Sequence, residues 1–246
     1  EDVVVSELEK LGIHVSASSR ILPEYREYER LSTTVVNAYV SPVMSKYLTS
    51  MEDGLETKNI RIMQSNGGSI STGAAKDMAV NCILSGPAGG VAGASVIAKL
   101  AGIKKIISFD MGGTSTDVSL CNGDVRLTTQ TIINEIPIKV PVVDIVTVGA
   151  GGGSIAYVDP GGALRVGPQS AGADPGPVCY GKGNEITVTD ANLFLGRISA
   201  ESFLGGRMRL ETDKLSGYMN RFAKRLGMSS VRVAEGIIDI AIANMP

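Results

Sequence analysis

The sequence predicts an α/β fold with mixed sheets and flanking helices, and three observations support this prediction. First, the alanine-rich stretch VAGASVIAKLAG has helical composition, and Gly102 is placed to cap it before a predicted strand at 105–111. Second, Asn122-Gly123 is a type I′ hairpin signal that predicts paired strands at 115–121 and 124–130. Third, apolar residues recur at helical spacing near the C-terminus. The central sheet is therefore predicted as three antiparallel strands joined by tight turns.

The N-terminal part is predicted to be mainly helical. Residues 2–11 favour either a short helix or the junction of a strand and a helix. A helical pattern runs from Tyr28 to about Met51, where Pro42 lies either in the first turn of a later helix or at a kink. A short strand at 60–63 then leads into the turn signal Ser-Asn-Gly-Gly.

The C-terminal half is predicted to alternate strands, glycine-rich turns and helices. The apolar run VPVVDIVTV is predicted as a strand that ends at a glycine cluster. A hairpin and an ordered, glycine- and proline-rich loop should follow, because the loop's aromatic and cysteine residues are of kinds that pack. The predicted ranges are 155–158 with 163–166 for the hairpin, 169–183 for the loop, and 200–203, 211–226 and 231–243 for helices.

Composition excludes several classes of function. The 246 residues are 43% hydrophobic and 20% charged, as in ordinary globular proteins. The formal charge of −2 offers no attraction to nucleic acid, and aromatic residues are too scarce, at 4%, for a base-stacking surface. The sequence contains no apolar span long enough to predict a segment that crosses a membrane. Three widely spaced cysteines favour reduced thiols and a cytoplasmic location, and the start at Glu1 without methionine suggests a fragment.

One stretch, IISFDMGGTSTDVSL, carries more polar chemistry than a structural hairpin needs. Backbone amides in a Gly-Gly-Thr turn can form a nest for phosphate oxygens, and glycines let the phosphate approach the main chain. Hydroxyl groups add further donors. The alternative is an ordinary hairpin whose hydroxyls face solvent. The predicted phosphate-binding residues are Gly112, Gly113, Thr114, Ser115 and Thr116.

Two aspartates flank this turn, and both are predicted to be catalytic. Asp110 ends the first strand, where its carboxylate would hold Mg²⁺ or orient a water molecule. Asp117 begins the returning strand and would do either task from a weaker position. The strand–turn–strand layout differs from a P-loop, which leads from a strand into a helix.

A second glycine cluster offers a similar nest. Its predicted phosphate-binding residues are Gly151, Gly152, Gly153 and Ser154, and the alternative is a flexible turn between strands. Asp144, which precedes the cluster, is predicted as a metal ligand, and the alternative is an aspartate that faces solvent or has a capping role. Asp190 and Asn192 are predicted to cap a helix, and Cys179 is predicted to be a packed thiol.

These motifs resemble those of a known family. The stretch at 109–118 resembles the second phosphate-binding hairpin of the ATPase superfamily that contains actin, sugar kinases and heat-shock chaperones. The wider set resembles the hydantoinase A/oxoprolinase family, which includes the beta subunit of acetone carboxylase. The strings that carry it are NAYVSP, MQSNGGS, SGPAGGVAGA, FDMGGTSTDV, GAGGGSIA, VGPQSAGADPGPVCYG and TDANLFLGR.

The resemblance implies a ribonuclease-H-like (actin-like ATPase) fold and an ATP-dependent enzyme subunit. Members activate a carbonyl oxygen with ATP, so the expected function is cyclic amide hydrolysis of the hydantoinase or 5-oxoprolinase type. It also implies Mg²⁺, a hydantoinase B-type partner subunit or domain, and membership of a larger oligomeric complex. The alternatives are an ATP-dependent ketone carboxylase subunit and a non-catalytic nucleotide-binding module.

The sequence also departs from the family pattern. The family has a first hairpin of the form DxGGTxTD near the N-terminus of the full-length protein, but this chain contains only one such motif, at 110–117, and no adenine-side GGAGP motif. This suggests a central piece with half of the phosphate clamp. Alone, such a piece is expected to bind ATP weakly. Some members carry histidine where Val146 stands, which weakens the metal assignment at Asp144. The predicted lobe boundary lies near Gly102, so that 1–102 ends one ATPase lobe and 103–246 begins the other.

Overall fold

The computed structural model describes residues 1–57, 59–133 and 135–245. The chain forms two compact units. One contains Glu1–Ser108 and Ser119–Ile145, and the other contains Phe109–Val118 and Val146–Pro246. The predicted lobe boundary near Gly102 concerns the lobes of a complete ATPase and stays a prediction.

Helices dominate the N-terminal part of the first unit. Its most N-terminal segment is helical, and the long helix α3 continues through Pro42. The helix before the central sheet ends as predicted, because Gly102 has φ +72° and the following amide, Ile103 N–H, bonds to the Ala98 carbonyl. The helices are α1 (Asp2–Glu9), α2 (Ser18–Ile21), α3 (Glu27–Gly54), α4 (Thr72–Asp77) and α5 (Ser85–Leu100).

Short antiparallel strands make up the sheets of this region. β1 pairs with β2, and β4 lies between β3 and β10 with β5 on its far end. β6 pairs with β9, and β7 pairs with β8. The strands are β1 (Arg61–Met63), β2 (Ser69–Ser71), β3 (Lys105–Met111), β4 (Thr116–Asn122), β5 (Asp124–Val125), β6 (Leu127–Thr128), β7 (Thr131–Ile133), β8 (Ile136–Ile138), β9 (Val142–Val143) and β10 (Val146–Val148).

Two strand predictions in this region are wrong in extent. The arm predicted at 124–130 pairs with β4 only through β5, and β6 pairs with β9 instead. The run VPVVDIVTV is two strands in two sheets, since β9 pairs with β6 whereas β10 pairs with β4. Within β9 the two valines face opposite sides, so Val142 is buried in a cluster with Ile138 and Val143 in one with Cys121.

The second unit contains a hairpin and three α-helices around one core. β11 (Ser154–Val158) pairs with β12 (Leu164–Ser170) as predicted, and α6 (Val188–Phe194), α7 (Thr212–Leu226) and α8 (Ser230–Ala243) follow. The α-helix predicted at 200–203 is not formed; Phe203 instead begins a 3-10 helix at Phe203–Gly206, where Leu204, Gly205 and Gly206 all have the positive φ that an α-helix does not permit. The buried core includes Val178, Val188, Leu215, Met219, Val233 and Ile237.

The loop predicted at 169–183 is ordered and packed. Its cysteine, Cys179, is fully buried in the core of the second unit, and the ring of Tyr180 lies 5.6 Å from that of Phe203. Cys82, Cys121 and Cys179 are all free thiols. None of the helices in the described part of the chain has the length and apolarity that crossing a membrane requires.

Candidate phosphate-binding site

The turn between β3 and β4 is closed by its own backbone. Gly112 N–H donates to the Ser115 carbonyl over 2.9 Å, which bends the chain tightly. The amides of Gly113, Thr114 and Ser115 donate to no acceptor in the part of the chain that the structure describes. These amides are therefore available to an anion.

Side chains around the turn fall into available and structural groups. Asp110 and Thr114 are exposed, and the Asp110 carboxylate forms no hydrogen bond or ion pair with the described residues. Thr116, in contrast, is fully buried and donates its hydroxyl to the Ala150 carbonyl over 2.6 Å. The hydroxyl predicted at Thr116 as a phosphate donor thus fixes the turn to the second glycine cluster.

Asp117 has a partner that the sequence did not indicate. Thr147 lies directly opposite it in the pairing of β4 with β10, and the Thr147 hydroxyl donates to Asp117 Oδ1 over 2.6 Å. This bond orients the Asp117 carboxylate and uses its Oδ1 atom as the acceptor. Thr147 is found only from the strand register, which sequence alone does not give.

The second glycine cluster supports the first turn. Gly152 N–H donates to the Gly112 carbonyl over 2.9 Å, and Gly153 N–H donates to the Gly113 carbonyl over 2.6 Å. Gly151 N–H donates to the buried Ser154 hydroxyl over 2.9 Å. The amides predicted to form a second nest are therefore occupied within the protein.

Close backbone contact explains why this cluster consists of glycines. A Cβ atom on Gly151 would lie 2.8 Å from both the Gly112 and the Gly113 carbonyl oxygens. One on Gly153 would lie equally close to the Gly113 carbonyl oxygen. Gly113 itself differs, because a Cβ there would meet no atom within 4 Å. The second cluster therefore needs glycines because the backbone packs closely there. At Gly113, in contrast, the missing side chain leaves open space beside the free amides.

A further layer of hydrogen bonds fixes the cluster to the core of its unit. Thr189, near the start of α6, donates both its amide and its hydroxyl to the Gly152 carbonyl, over 2.7 and 2.8 Å. Ala171 N–H donates to the Gly153 carbonyl over 2.9 Å. These hydrogen bonds connect the packed helix α6 to the second glycine cluster and the cluster to the turn, so they fix the position of the turn.

A buried carboxylate organises the start of α6. Asp190 is fully buried and accepts hydrogen bonds from the amides of Val178, Cys179 and Thr187, and from the Thr187 hydroxyl. Thr187 caps the helix, and with Asp190 it forms a capping box, so the predicted cap is confirmed for Asp190. Asn192 instead donates to the Val188 carbonyl within the helix.

The same packing predicts how stability depends on pH. Burial raises the pKa of the Cys179 thiol well above its usual range, and the nearby Asp190 raises it further. An unfolded thiol ionises near pH 8.5 while the folded one keeps its proton, so the free energy of unfolding should fall above about pH 8.5. Denaturant titrations should show a decline of up to about 1.4 kcal/mol per pH unit from this group.

Cys179→Val provides the control for that prediction. Above pH 8.5 the free energy of unfolding of this variant should decline less steeply than that of the wild type, even if the two proteins differ in stability at pH 7. The thiol of Cys82, whose pKa is also raised by burial, stays in both proteins. Identical slopes would contradict the role assigned to Cys179.

Asp144 lies in the first unit, outside the turn. Its carboxylate is 4.0 Å from Arg126 Nε, and its amide donates to the Arg126 carbonyl over 2.9 Å. Its carbonyl accepts the Ser119 hydroxyl over 2.8 Å. These contacts agree with the alternative of a surface aspartate in a turn, and its role as a metal ligand stays a prediction.

The fold and the strand–turn–strand motif together define an α/β protein of the actin-like ATPase type. Comparison with known proteins specifies it further: the sequence profile of the hydantoinase/oxoprolinase family matches residues 30–246. The chain belongs to this family, as its motifs predicted.

Named relatives agree with this assignment. The chain is 43% identical to the caprolactamase subunit alpha of Pseudomonas jessenii, over 95% of this chain and 34% of that protein. It is 39% identical to 5-oxoprolinase 1 of Arabidopsis thaliana, over 97% of this chain and 21% of that protein. The chain thus spans between a fifth and about a third of the length of these relatives.

Solved structures confirm the fold. A nucleotide-free acetone carboxylase matches 99% of this chain and 35% of its own with a TM-score of 0.83 and 33% identity. The ATP-dependent caprolactamase of Pseudomonas jessenii matches 97% of this chain and 36% of its own with a TM-score of 0.77 and 41% identity. The predicted ribonuclease-H-like α/β fold, present in part, is therefore correct.

Proposed function

We propose that this chain is the part of an ATP-dependent cyclic amide hydrolase that holds the phosphates of ATP. The observation that carries the proposal is the set of free donors at the turn, the amides of Gly113, Thr114 and Ser115. They follow Asp110, whose carboxylate has no partner among the described residues, on a backbone braced by the second glycine cluster. Such fixed donors stabilise phosphoryl charge with little reorganisation.

The residues present fit both ATP and Mg²⁺. Asp110 would hold the metal, which would supply positive charge against the phosphates, and the free amides would donate hydrogen bonds to the phosphate oxygens. In the proposed reaction the substrate's amide oxygen attacks the γ-phosphorus and ADP leaves. One water then adds to the activated carbon, and the bond from this carbon to the ring nitrogen breaks, which opens the ring and leaves an acyl phosphate. A second water hydrolyses the acyl phosphate to a carboxylate and inorganic phosphate.

The substrate class rests on the names of the relatives. Identity of 43% to a caprolactamase subunit and 39% to a 5-oxoprolinase supports a cyclic amide. The second candidate is ATP-dependent ketone carboxylation, which the structural match to acetone carboxylase favours. Relatives named as subunits support a hydantoinase B-type partner in a larger complex, and the free thiols support a cytoplasmic location.

A substrate panel on the parent protein with its partner subunit separates these candidates. ADP formation should increase with 5-oxoproline, caprolactam or hydantoin as added substrate. An increase only with acetone and bicarbonate would establish the second candidate instead. ATP binding with no turnover on any of these substrates would favour a non-catalytic nucleotide-binding module.

Replacing Gly113 by alanine tests the phosphate site directly. The new Cβ has room within the protein, so the free energy of unfolding should be unchanged, but it occupies space beside the free amides. The affinity of the parent protein for ATP, measured by calorimetry, should fall roughly 10- to 100-fold. Gly73→Ala in α4, where a Cβ also meets no atom within 4 Å, should retain affinity. Unchanged affinity in Gly113→Ala would contradict the site.

A further inference from the structure

The helix α3 has an inverted distribution of polar and apolar residues. Its buried residues include Thr33, Asn37 and Ser41, each fully shielded from solvent. Its opposite face is apolar and between 57% and 83% exposed, and we call it the α3 stripe. The stripe consists of Tyr28, Leu31, Val35, Tyr39, Val43 and Tyr47.

The polar face is firmly committed to the interior of the first unit. Asn37 donates to the Asp77 carbonyl and accepts from the Val80 amide, over 3.0 and 3.1 Å. The Thr33 hydroxyl accepts from the Lys139 amide over 3.0 Å. Rotation of the helix to bury the stripe would break these bonds, so the helix is held with its apolar side outward.

The composition of the stripe is that of a permanent interface. Among the exposed residues between 28 and 47, Lys46 is the one that carries a charge. Three of the six stripe residues are tyrosines, a type enriched in interface cores. With on the order of 100 Å² exposed per side chain, the stripe offers roughly 600 Å², near the ~800 Å² that one partner contributes to a standard interface.

The spacing of the stripe residues indicates that the element covering them is a helix. Residues 28, 31, 35 and 39 recur at intervals of three and four, which is the seam that one helix presents to another. The tyrosine hydroxyls require acceptors at the edges of that seam. A helix with small and aliphatic side chains along one face, and with polar groups at its margins, meets these requirements.

We infer that the α3 stripe is covered by a helix from the part of the parent subunit outside these 246 residues. The related chains are about three to five times longer than this one, so most of such a parent lies outside it. A nearly uncharged, apolar surface suits a partner that never dissociates. The inference concerns assembly of the subunit, and it holds whether or not the turn binds ATP.

Thiol labelling of the parent protein tests this inference. Tyr39→Cys should react with a maleimide roughly tenfold more slowly than Lys10→Cys, whose site directly after α1 is exposed and charged. The native cysteines are buried and give little background. Leu31→Cys provides a second thiol on the stripe. Equal labelling rates at positions 10, 31 and 39 would overturn the inference.

Two further measurements distinguish other occupants. Oxidation of the Tyr39→Cys parent should yield no disulfide-linked dimer, and formation of one would assign the stripe to a second copy instead. Tyr39→Phe, which keeps the ring and loses the hydroxyl, should lower the melting temperature of the parent less than Tyr39→Ser, which should lower it by a few degrees. Equal melting temperatures for both variants would also overturn the inference, because an uncovered side chain tolerates either change.

Discussion

Asp110→Asn is expected to lower the ATP-dependent turnover of the parent protein roughly 100-fold. The substitution keeps the shape of the side chain and removes its negative charge. Because the Asp110 carboxylate has no partner among the described residues, its charge is free for Mg²⁺ and contributes little to folding. Turnover should be measured as ADP release with saturating substrate, and the melting temperature should match that of the wild type.

Asp124→Asn is the matched control for that experiment. Asp124 lies in β5, in the same sheet as Asp110, and its carboxylate is 91% exposed beside Lys99. Turnover of this variant should equal that of the wild type. Full turnover in Asp110→Asn would rule out the assignment of this carboxylate to the metal or the attacking water.

Gly183→Ala is expected to destabilise the protein by about 4 kcal/mol or more. A Cβ at this position would lie 2.1 Å from the Gly176 carbonyl oxygen and 2.5 Å from that of Pro177. Both obstacles are backbone atoms, so a rotamer change cannot relieve the clash. Denaturant unfolding should show a reduced midpoint, and the soluble yield of the variant should fall.

Gly149→Ala separates this clash from a general effect of losing a glycine. No atom lies within 4 Å of a Cβ at position 149, and its φ is not in the left-handed region. Its unfolding midpoint should stay near that of the wild type. If Gly183→Ala were equally stable, the tight packing of the 171–183 loop would be contradicted.

Local signals in the sequence predicted much of this fold. The glycine after α5, the hairpin signal at Asn122-Gly123 and the periodicity of α7 and α8 each depend on a few neighbouring residues. The family motifs added what local signals cannot supply, the class of fold. Sequence alone failed where pairing is decided at long range, as for β9 and β10, which pair with different strands although only two residues separate them.

The candidate site was predicted in outline and not in its internal roles. Glycines and hydroxyls located the turn, but composition could not tell which amides were free. Gly152 and Gly153 have the same local character as Gly113, yet their amides bond to the first turn. Thr147 and Thr189 were missed because a threonine becomes a positioning residue only through its partner across the fold.

The donors of the proposed cradle are main-chain groups, and this has a consequence for how such proteins diversify. A peptide N–H is present whatever side chain accompanies it, so the cradle carries no information about the molecule that receives the phosphoryl group. Relatives named for a lactam and for a ketone can share the turn between β3 and β4 unchanged. Efforts to redirect such an enzyme to a new acceptor should therefore keep 109–118 and 149–154 intact and vary the surfaces that meet the acceptor.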